Sequence, residues 1–346
     1  MHKLRYRYSA ALAVVVTGSV AIAAWPAHRD GEAFRSELGG APLSVPDSSW
    51  KTLTTVLSVT HATETDRGWT LLDRTGDRVH RLSPSGELVA SFGGRGDGPG
   101  ELRSPAGMAI LNDTLWVVDL TGRRFDGFGP DGRFARRFTR DAPCPAPVLD
   151  DVAPSASSLA IAVRCFGLLG SERLVSYLDP TTGVSVTARP IPDDDPRLYG
   201  DVTRLVTTRD GLLTGSMFRR CLFATTDDVS HAKACLAPDG RVPVPADIRE
   251  GLEHASGRNR LLGFVRQLPR FYPYLLAAVE TPGGLVVTRP EGEDQVVLTN
   301  LDLPGAPTLR PPRGTAPFVG PNKILIVSES LSGTRIALAK TPPEWR

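Results

Sequence analysis

One segment of the chain repeats after 46 residues, and the matching positions are those that build strands and tight turns. Residues 69–73 (WTLLD) align with residues 115–119 (LWVVD). The same shift aligns five further pairs: Gly76 with Gly122, Val79 with Phe125, Leu82 with Phe128, Gly86 with Gly132 and Phe92 with Phe138. A repeat of about 40 to 50 residues with several short strands is typical of a β-propeller, whose units bury their faces against one another. The repeat therefore predicts an all-β chain folded as a propeller.

Strand patterns extend this propeller to six predicted blades. The first two blades cover residues 51–92 and 105–138, and the later units keep only short apolar runs between turn residues. The expected strands of the later units are 159–163, 174–178 and 184–188 in the third, 212–215, 220–224 and 231–236 in the fourth, 275–279, 285–289 and 296–301 in the fifth, and 316–319, 324–327 and 335–339 in the sixth. Six is the predicted number, five and seven stay open, and so does whether residues 50–55 supply the outer strand of the last blade.

Residues 243–273 interrupt the pattern as a helical or irregular insertion between the fourth and fifth predicted blades. Residues 245–254 place acidic side chains early and apolar ones at helical spacing, which predicts a short helix. The remainder is rich in Arg and aromatic residues, a composition found at protein interfaces and anionic-ligand sites. Arg266, Arg270 and Tyr272 are therefore candidate ligand-binding residues. The alternative is that the rings pack the insertion against the propeller while the Arg side chains are solvated.

The first 27 residues are typical of a secretory signal peptide. Basic residues precede an apolar stretch at 10–25, and the small-residue triplet at 21–23 offers a cleavage site. The alternative is an uncleaved anchor through residues 10–25, which would be the only contact with a membrane. Residues 28–49 are predicted to form a linker and residues 50–342 the propeller. The expected location is extracytoplasmic, either periplasmic or secreted.

The net charge argues against a nucleic-acid partner. Lys3, Arg5 and Arg7 belong to the predicted signal, so 37 of the 40 basic residues remain against 38 acidic ones. Nucleic-acid binding normally requires a basic patch or stripe, and this balance does not provide one.

The four cysteines are predicted to form two disulfides, because an even number is present in a chain expected to leave the reducing cytosol. Three pairings exist, and local spacing favours Cys144 with Cys165 and Cys221 with Cys235. The second pair flanks a predicted hairpin, so its sulfurs are expected to face each other across adjacent strands. A cysteine-based metal site is the alternative, but no C-x-x-C spacing occurs.

The chain resembles the NHL-repeat family of β-propellers over residues 69–138. The resemblance rests on residues 92–107 (FGGRGDGPGELRSPAG), the strand 115–119, and the triplet 123–125 (RRF). That family links blades with a Gly-rich segment, a Phe or Leu and a Pro, followed by a strand that ends in Asp and an Arg-hydrophobe pair. The chain is also similar to secreted six-bladed bacterial propellers of unassigned function. The resemblance implies a six-bladed fold used for binding.

Gluconolactonase-type and strictosidine-synthase-type propellers share the six-bladed plan, and the former hold Ca²⁺ in the channel with a Glu, Asn residues and an Asp. Here Asn112, Asn300 and Asn322 are scattered, although a hard cation needs several converging oxygen ligands. Neither a G-x-S-x-G nor an H-E-x-x-H motif occurs. A Ca²⁺-dependent hydrolase or lyase is therefore kept as the alternative function, and no other cofactor is expected.

Asp73 and Asp119 end equivalent strands of the repeat, and Arg289 occupies the corresponding place in the fifth unit. Such strand ends surround the central channel on one face of a propeller, which makes these three residues candidate ligand-binding groups. The alternative is structural: each Asp accepts hydrogen bonds from the amides of the following turn and pairs with Arg78 or Arg124.

A closed propeller presents its loops on a rigid ring, and recognition sites are commonly built on such loops. The sequence therefore predicts a binding module for a protein, peptide or glycan partner, with no catalysis of its own.

Overall fold

The computed structural model describes residues 40–167, 170–190, 202–219, 221–224, 232–236, 275–291, 295–303, 308–330 and 333–346. The predicted signal peptide and the predicted insertion at 243–273 lie outside these residues. The described part is all-β apart from two 3₁₀ turns, Asp47–Ser49 and Pro343–Trp345.

The chain begins with two short strands, β1 (Gly40–Pro42) and β2 (Lys51–Leu53). Blade one contains β3 (Val59–Thr65), β4 (Gly68–Asp73), β5 (Arg78–Leu82) and β6 (Leu88–Gly93). Blade two contains β7 (Pro105–Leu111), β8 (Thr114–Asp119), β9 (Arg124–Phe128) and β10 (Phe134–Thr139). Blade three contains β11 (Pro147–Ser155), β12 (Ser158–Gly167), β13 (Gly170–Leu178) and β14 (Ser185–Pro190).

The second half of the ring follows the same plan. Blade four contains β15 (Thr203–Thr208), β16 (Gly211–Ser216), β17 (Cys221–Ala224) and β18 (Ala232–Cys235). Blade five contains β19 (Ala277–Thr281), β20 (Gly284–Pro290), β21 (Val296–Asn300) and β22 (Thr308–Arg310). Blade six contains β23 (Ala316–Val319), β24 (Lys323–Ser330) and β25 (Gly333–Lys340). These six sheets confirm the predicted six-bladed β-propeller.

The beginning of the domain closes the ring. Strand β2 pairs antiparallel with β25, with Lys51 opposite Ile336, and so becomes the outer strand of blade six. Blade six therefore takes three strands from the end of the chain and one from its start. This answers the open question about residues 50–55, and it moves the start of blade one from residue 51 to Val59.

Blade five gains a fifth strand from the same region. Strand β1 runs parallel to β22, with Gly40 opposite Thr308. Part of the segment predicted as a linker, residues 28–49, is thus an edge strand. The domain boundaries at 27 and 342 remain predictions.

The hydrophobic core lies between neighbouring blades. Trp69, Leu71 and Leu82 of blade one pack with Leu325 and Val327 of blade six in one buried cluster. The repeat-equivalent residues Leu115, Val117 and Phe128 of blade two pack in the same way with Leu72 and Val79 of blade one. Burying a side chain of this size contributes about 1.5 to 3 kcal/mol. Each blade therefore depends on the next for its stability, as the repeat predicted.

Both predicted disulfides are present. Cys144 bonds Cys165, and Cys221 bonds Cys235. The second pair joins directly opposite residues of β17 and β18, as its position around a hairpin indicated. Disulfides of this kind indicate an oxidising, extracytoplasmic compartment. Across the described residues, no helix is long and apolar enough to cross a membrane.

Candidate functional site

The propeller has two faces, named here by their loops. The linker face carries the connections between blades and the turns between second and third strands; in the described part these include residues 54–58, 74–77, 94–104, 120–123, 140–146 and 311–315. The hairpin face carries the other turns, including residues 66–67, 83–87, 112–113, 129–133, 156–157 and 209–210.

Asp73 lies on the linker face and is fully buried. Its carboxylate accepts hydrogen bonds from the amides of Leu57 (2.8 Å), Ser58 (3.1 Å) and Gly76 (2.9 Å). The His80 ring lies close by, with Nε2 3.5 Å from Oδ2 of Asp73. The amide hydrogen bonds expected of a structural role are therefore present, and ligand binding by Asp73 stays a prediction.

Asp119 occupies the equivalent place in blade two and accepts hydrogen bonds from the amides of Arg123 (2.9 Å) and Arg124 (3.0 Å). The expected ion pair with the Arg124 guanidinium is not what the structure shows. That guanidinium instead donates to Asp126 (2.8 Å) and Asp97 (2.9 Å). Arg124 therefore ties the Gly-rich linker to blade two instead of pairing with Asp119.

A second arginine holds the same linker. Arg137 donates from Nε to Asp126 (2.6 Å) and from its two Nη atoms to the carbonyls of Asp97 (2.6 Å) and Gly98 (2.8 Å). Within this linker, Arg95 pairs with the buried carboxylate of Asp77 at 2.8 Å. Side chains thus fix a segment that its glycine content alone would leave free.

Arg289 is 7% exposed and lies at the end of β20. Burial lowers its pKa, and the charge of Glu291 acts in the opposite direction. Its Nε is buried without a hydrogen-bond partner. Asp73, Asp119 and Arg289 are not brought together around the channel, because none of them lines it. Arg266, Arg270 and Tyr272 lie outside the described residues.

The central channel contains a cavity of about 350 Å³. The first strand of every blade contributes to its wall: β3, β7, β11, β15, β19 and β23. Most of the wall is apolar, with Met108, Ile110, Leu205, Val279 and Phe318 among its residues. A mostly apolar cavity with a few convergent polar groups is the usual form of a small-ligand site.

Beside several threonines, three titratable side chains are among the described residues that line the channel: His61 of β3, Asp151 of β11 and Arg204 of β15. Asp151 accepts hydrogen bonds from the amides of Leu205 (3.0 Å) and Val152 (2.9 Å). The Arg204 guanidinium lies 3.9 Å from the Sδ atom of Met217.

Burial and the neighbouring charges determine the charge states of these groups. Burial, together with the cations of Arg204 and Arg74, lowers the pKa of His61 to about 3. Burial raises the pKa of Asp151, partly offset by Arg204 and the two amide hydrogen bonds. At neutral pH the imidazole of His61 is therefore uncharged.

A separate acidic pair spans the boundary between blades six and one. Glu329 of β24 accepts a hydrogen bond from the amide of Val59 in β3 at 2.7 Å. Burial raises the pKa of Glu329 to about 7, with the charge of Asp73 adding to the shift. This pair joins the last blade to the first, so it belongs to the closure of the ring.

His61, Asp151 and Arg204 were not predicted from the sequence as site residues. A charged residue inside an otherwise apolar first strand is the available signal, and it can be used only when the blade boundaries are known. Among the described residues, no three His, Cys, Asp or Glu side chains lie close enough together to hold a metal ion.

No protein-family model matches the chain, and no curated protein sequence matches it. The chain is similar in structure to a DUF4221 family member from Bacteroides vulgatus, with a TM-score of 0.53, 12% identity and coverage of 87% of this chain and 96% of that one. A protein described as exported, from Bacteroides fragilis, gives a TM-score of 0.52 at 12% identity, covering 88% and 95%. The streptogramin B lyase structure gives 0.44 at 12% identity, covering 82% and 80%. At these identities the similarity shows the propeller fold and nothing about its chemistry.

Proposed function

We propose that this protein is an extracytoplasmic propeller that binds a protein, peptide or glycan partner on its linker face and catalyses no reaction. The supporting observation is that side chains fix the loops of this face in place. Asp73 and Asp119 hold their turns, while Arg124 and Arg137 hold the Gly-rich linker. A rigid loop loses little conformational entropy on binding, which favours recognition.

Exposed cations project from this fixed surface. The side chains of Arg95 and Arg103 are 84% and 72% exposed, and Arg123 is exposed beside them. They could contact carboxylates of a peptide or of an acidic glycan. The proposal includes the NHL-type character of the linker and secretion through residues 1–27, and the two disulfides support the extracytoplasmic location. Nucleic acid is not expected as a partner.

Glycan and peptide arrays probed with the labelled protein test this proposal. We expect binding to a restricted set of ligands, weakened at least tenfold by the triple variant R95Q/R103Q/R123Q. The matched triple R67Q/R133Q/R209Q removes three exposed cations from the hairpin face and is expected to bind normally. Equal binding by the two triples, or no binding by the wild type to any ligand, would contradict the proposal.

The alternative function, a Ca²⁺-dependent hydrolase or lyase, requires several oxygen ligands that converge in the channel. Asp151 is the one carboxylate among the described residues that line it, and both of its oxygens already accept amide hydrogen bonds. The described part of the channel therefore favours binding without Ca²⁺.

A further inference from the structure

Arg204 has an unusual environment for a channel arginine. Its Nη2 approaches the Met217 sulfur, a weak acceptor, and its Nε is buried with no hydrogen-bond partner. No ion pair of Arg204 occurs in the part of the chain that the structure describes. Buried donors in proteins are nearly always satisfied, because an unpaired one keeps its full desolvation cost. Within the described residues, this guanidinium therefore has donor capacity left for a further acceptor.

Arg204 lines the channel, so its unused hydrogen-bond donors are available to a ligand there. Arg204 lies on blade four, and its charge acts on the imidazole of His61. His61 belongs to blade one, which lies opposite blade four in the ring of six blades. Both residues also contribute to the channel wall.

Among the described residues, no carboxylate makes a direct ion pair with this guanidinium, although the charges of Arg204 and Asp151 act on each other. Asp151 directs its carboxylate oxygens to the amides of Leu205 and Val152, and not to the guanidinium. His61 donates or accepts through Nδ1 at Thr60 Oγ1 (3.3 Å), so Nε2 is left for a further hydrogen bond. A ligand at this point would meet one cation and one neutral ring nitrogen.

We propose that the channel binds a carboxylate attached to an apolar body, with Arg204 as the counter-ion and His61 as a second hydrogen-bonding group. The planar guanidinium presents paired N–H donors that match the two oxygens of a carboxylate. A single negative charge suits one cation, and the described lining residues offer no second cation for a dianionic phosphate. The apolar wall then accommodates the body of the ligand. This inference does not depend on the proposed function, because the channel and the linker face are separate sites. Different variants test each of them.

Calorimetric titration of the purified protein with octanoate tests the proposal. Octanamide, which keeps the chain and loses the charge, is the matched ligand. We expect octanoate to bind at least tenfold more tightly than octanamide, and Arg204→Gln to remove this preference while Arg133→Gln retains it. Arg133 also carries one positive charge, but it is 90% exposed on the hairpin face.

A second variant covers the case in which Arg204→Gln does not fold. Ala277 is an exposed lining residue of β19, so Ala277→Phe narrows the channel and leaves Arg204 in place. It is expected to weaken octanoate binding at least tenfold while the protein keeps its far-UV circular dichroism. Normal binding by folded Ala277→Phe would overturn the channel as the site.

The carboxylate could belong to a small molecule or to the C-terminus of a peptide. Trileucine and its C-terminal amide distinguish these sources in the same titration. Binding of octanoate alone indicates a small carboxylate, and binding of trileucine but not its amide indicates a peptide terminus. Equal affinity for charged and neutral partners, or no binding by either carboxylate, overturns the proposal.

Discussion

At the scale of single residues, two carboxylates at the boundary between blades six and one show how local contacts set a charge state. Burial would raise the pKa of Asp73, but the nearby His80 and the amides of Leu57, Gly76 and Ser58 outweigh it and lower that pKa. Glu329 has one amide donor, so burial prevails and raises its pKa to about 7. At neutral pH Asp73 is ionised and Glu329 is half protonated.

This contrast predicts how stability depends on pH. The folded pKa of Glu329 lies above the ordinary value of 4.5, so the folded state holds the proton more tightly than the unfolded chain does. Its contribution is therefore complete below about pH 4.5 and is lost as pH rises through about 7. We expect the free energy of unfolding in urea to fall by about 2 to 3 kcal/mol over this range in the wild type. Glu329→Gln should remove most of that fall.

Glu87→Gln is the control, because Glu87 is a 66% exposed carboxylate paired with Lys51 at the surface. It should leave the pH dependence unchanged. A slope in Glu329→Gln equal to that of the wild type would show that another group is responsible.

Alanine substitutions at two glycines in equivalent turns allow the cost of backbone strain to be measured apart from the cost of steric overlap. Gly68 (φ 114°) and Gly211 (φ 128°) begin the second strands of blades one and four. A Cβ at Gly68 would lie 2.1 Å from the carbonyl oxygen of Leu82, whereas one at Gly211 would meet nothing within 4 Å. Gly211→Ala should therefore cost about 1 to 3 kcal/mol from strain alone. Gly68→Ala should cost about 1 to 3 kcal/mol more. Equal urea midpoints for the two variants would contradict this account.

The residues of the site were only partly predictable. Asp73 and Asp119 could be found because they recur at one position of the repeat, and the structure shows their turn amides as the main partners. Arg204 and His61 could not be paired from sequence. They lie 143 positions apart, on strands that face each other only when the ring is closed.

At the scale of elements, the two disulfides restrain different parts of the ring. Cys144–Cys165 ties the connection between blades two and three to β12, and Cys221–Cys235 ties the outer hairpin of blade four. Their sequence separations are 21 and 14 residues, so the loops they close are of similar length.

Removing either disulfide should therefore cost about 3 kcal/mol. The double variants Cys144→Ala/Cys165→Ala and Cys221→Ala/Cys235→Ala should lose similar stability in urea. The quadruple variant should lose nearly the sum, because the two sites are in different blades and share no contact. A neutral effect of either pair would mean that the strands hold those loops without the bond.

The elements themselves were predicted best where apolar residues alternate between turns. Strands at 69–73 and 324–327 were expected and lie within β4 and β24. The first strands of blades three and four, β11 and β15, were missed. Strand β11 reads PVLDDVAPS, with two Asp and two Pro: Leu149 and Val152 pack in the core between blades, while Asp151 and Pro154 line the channel. The order of polar and apolar residues in β11 suits the channel wall and does not show the regular alternation of a strand, so β-propensity did not reveal it.

At the scale of the whole molecule, ring closure depends on β2. Its hydrogen bonds to β25 join the start of the domain to its end, and Leu53 is buried in the cluster between blades six and one. Which end closes the ring was left open by the sequence, because a three-residue strand at 51–53 has no periodicity to read.

Two truncations test this closure. Removing residues 1–49 deletes the edge strand β1 and the partly buried Leu43 and Val45, and should cost about 1 to 2 kcal/mol. Removing residues 1–55 also deletes β2 and should cost at least about 3 kcal/mol, because Leu53 and the outer strand of blade six are lost. Amide hydrogen exchange should show β25 exposed in the longer truncation only. Equal protection of β25 in both truncations would contradict closure through β2.

Thermal unfolding with and without excess Ca²⁺, and after chelation, tests the central claim most directly, because a ligand bound only by the folded state must raise the midpoint. The account describes a propeller that recognises a partner and needs no metal, and it therefore predicts the same midpoint in all three conditions. A midpoint that rises by several degrees with Ca²⁺ and falls after chelation would contradict it. That result would instead support a Ca²⁺-dependent hydrolase or lyase acting in the channel.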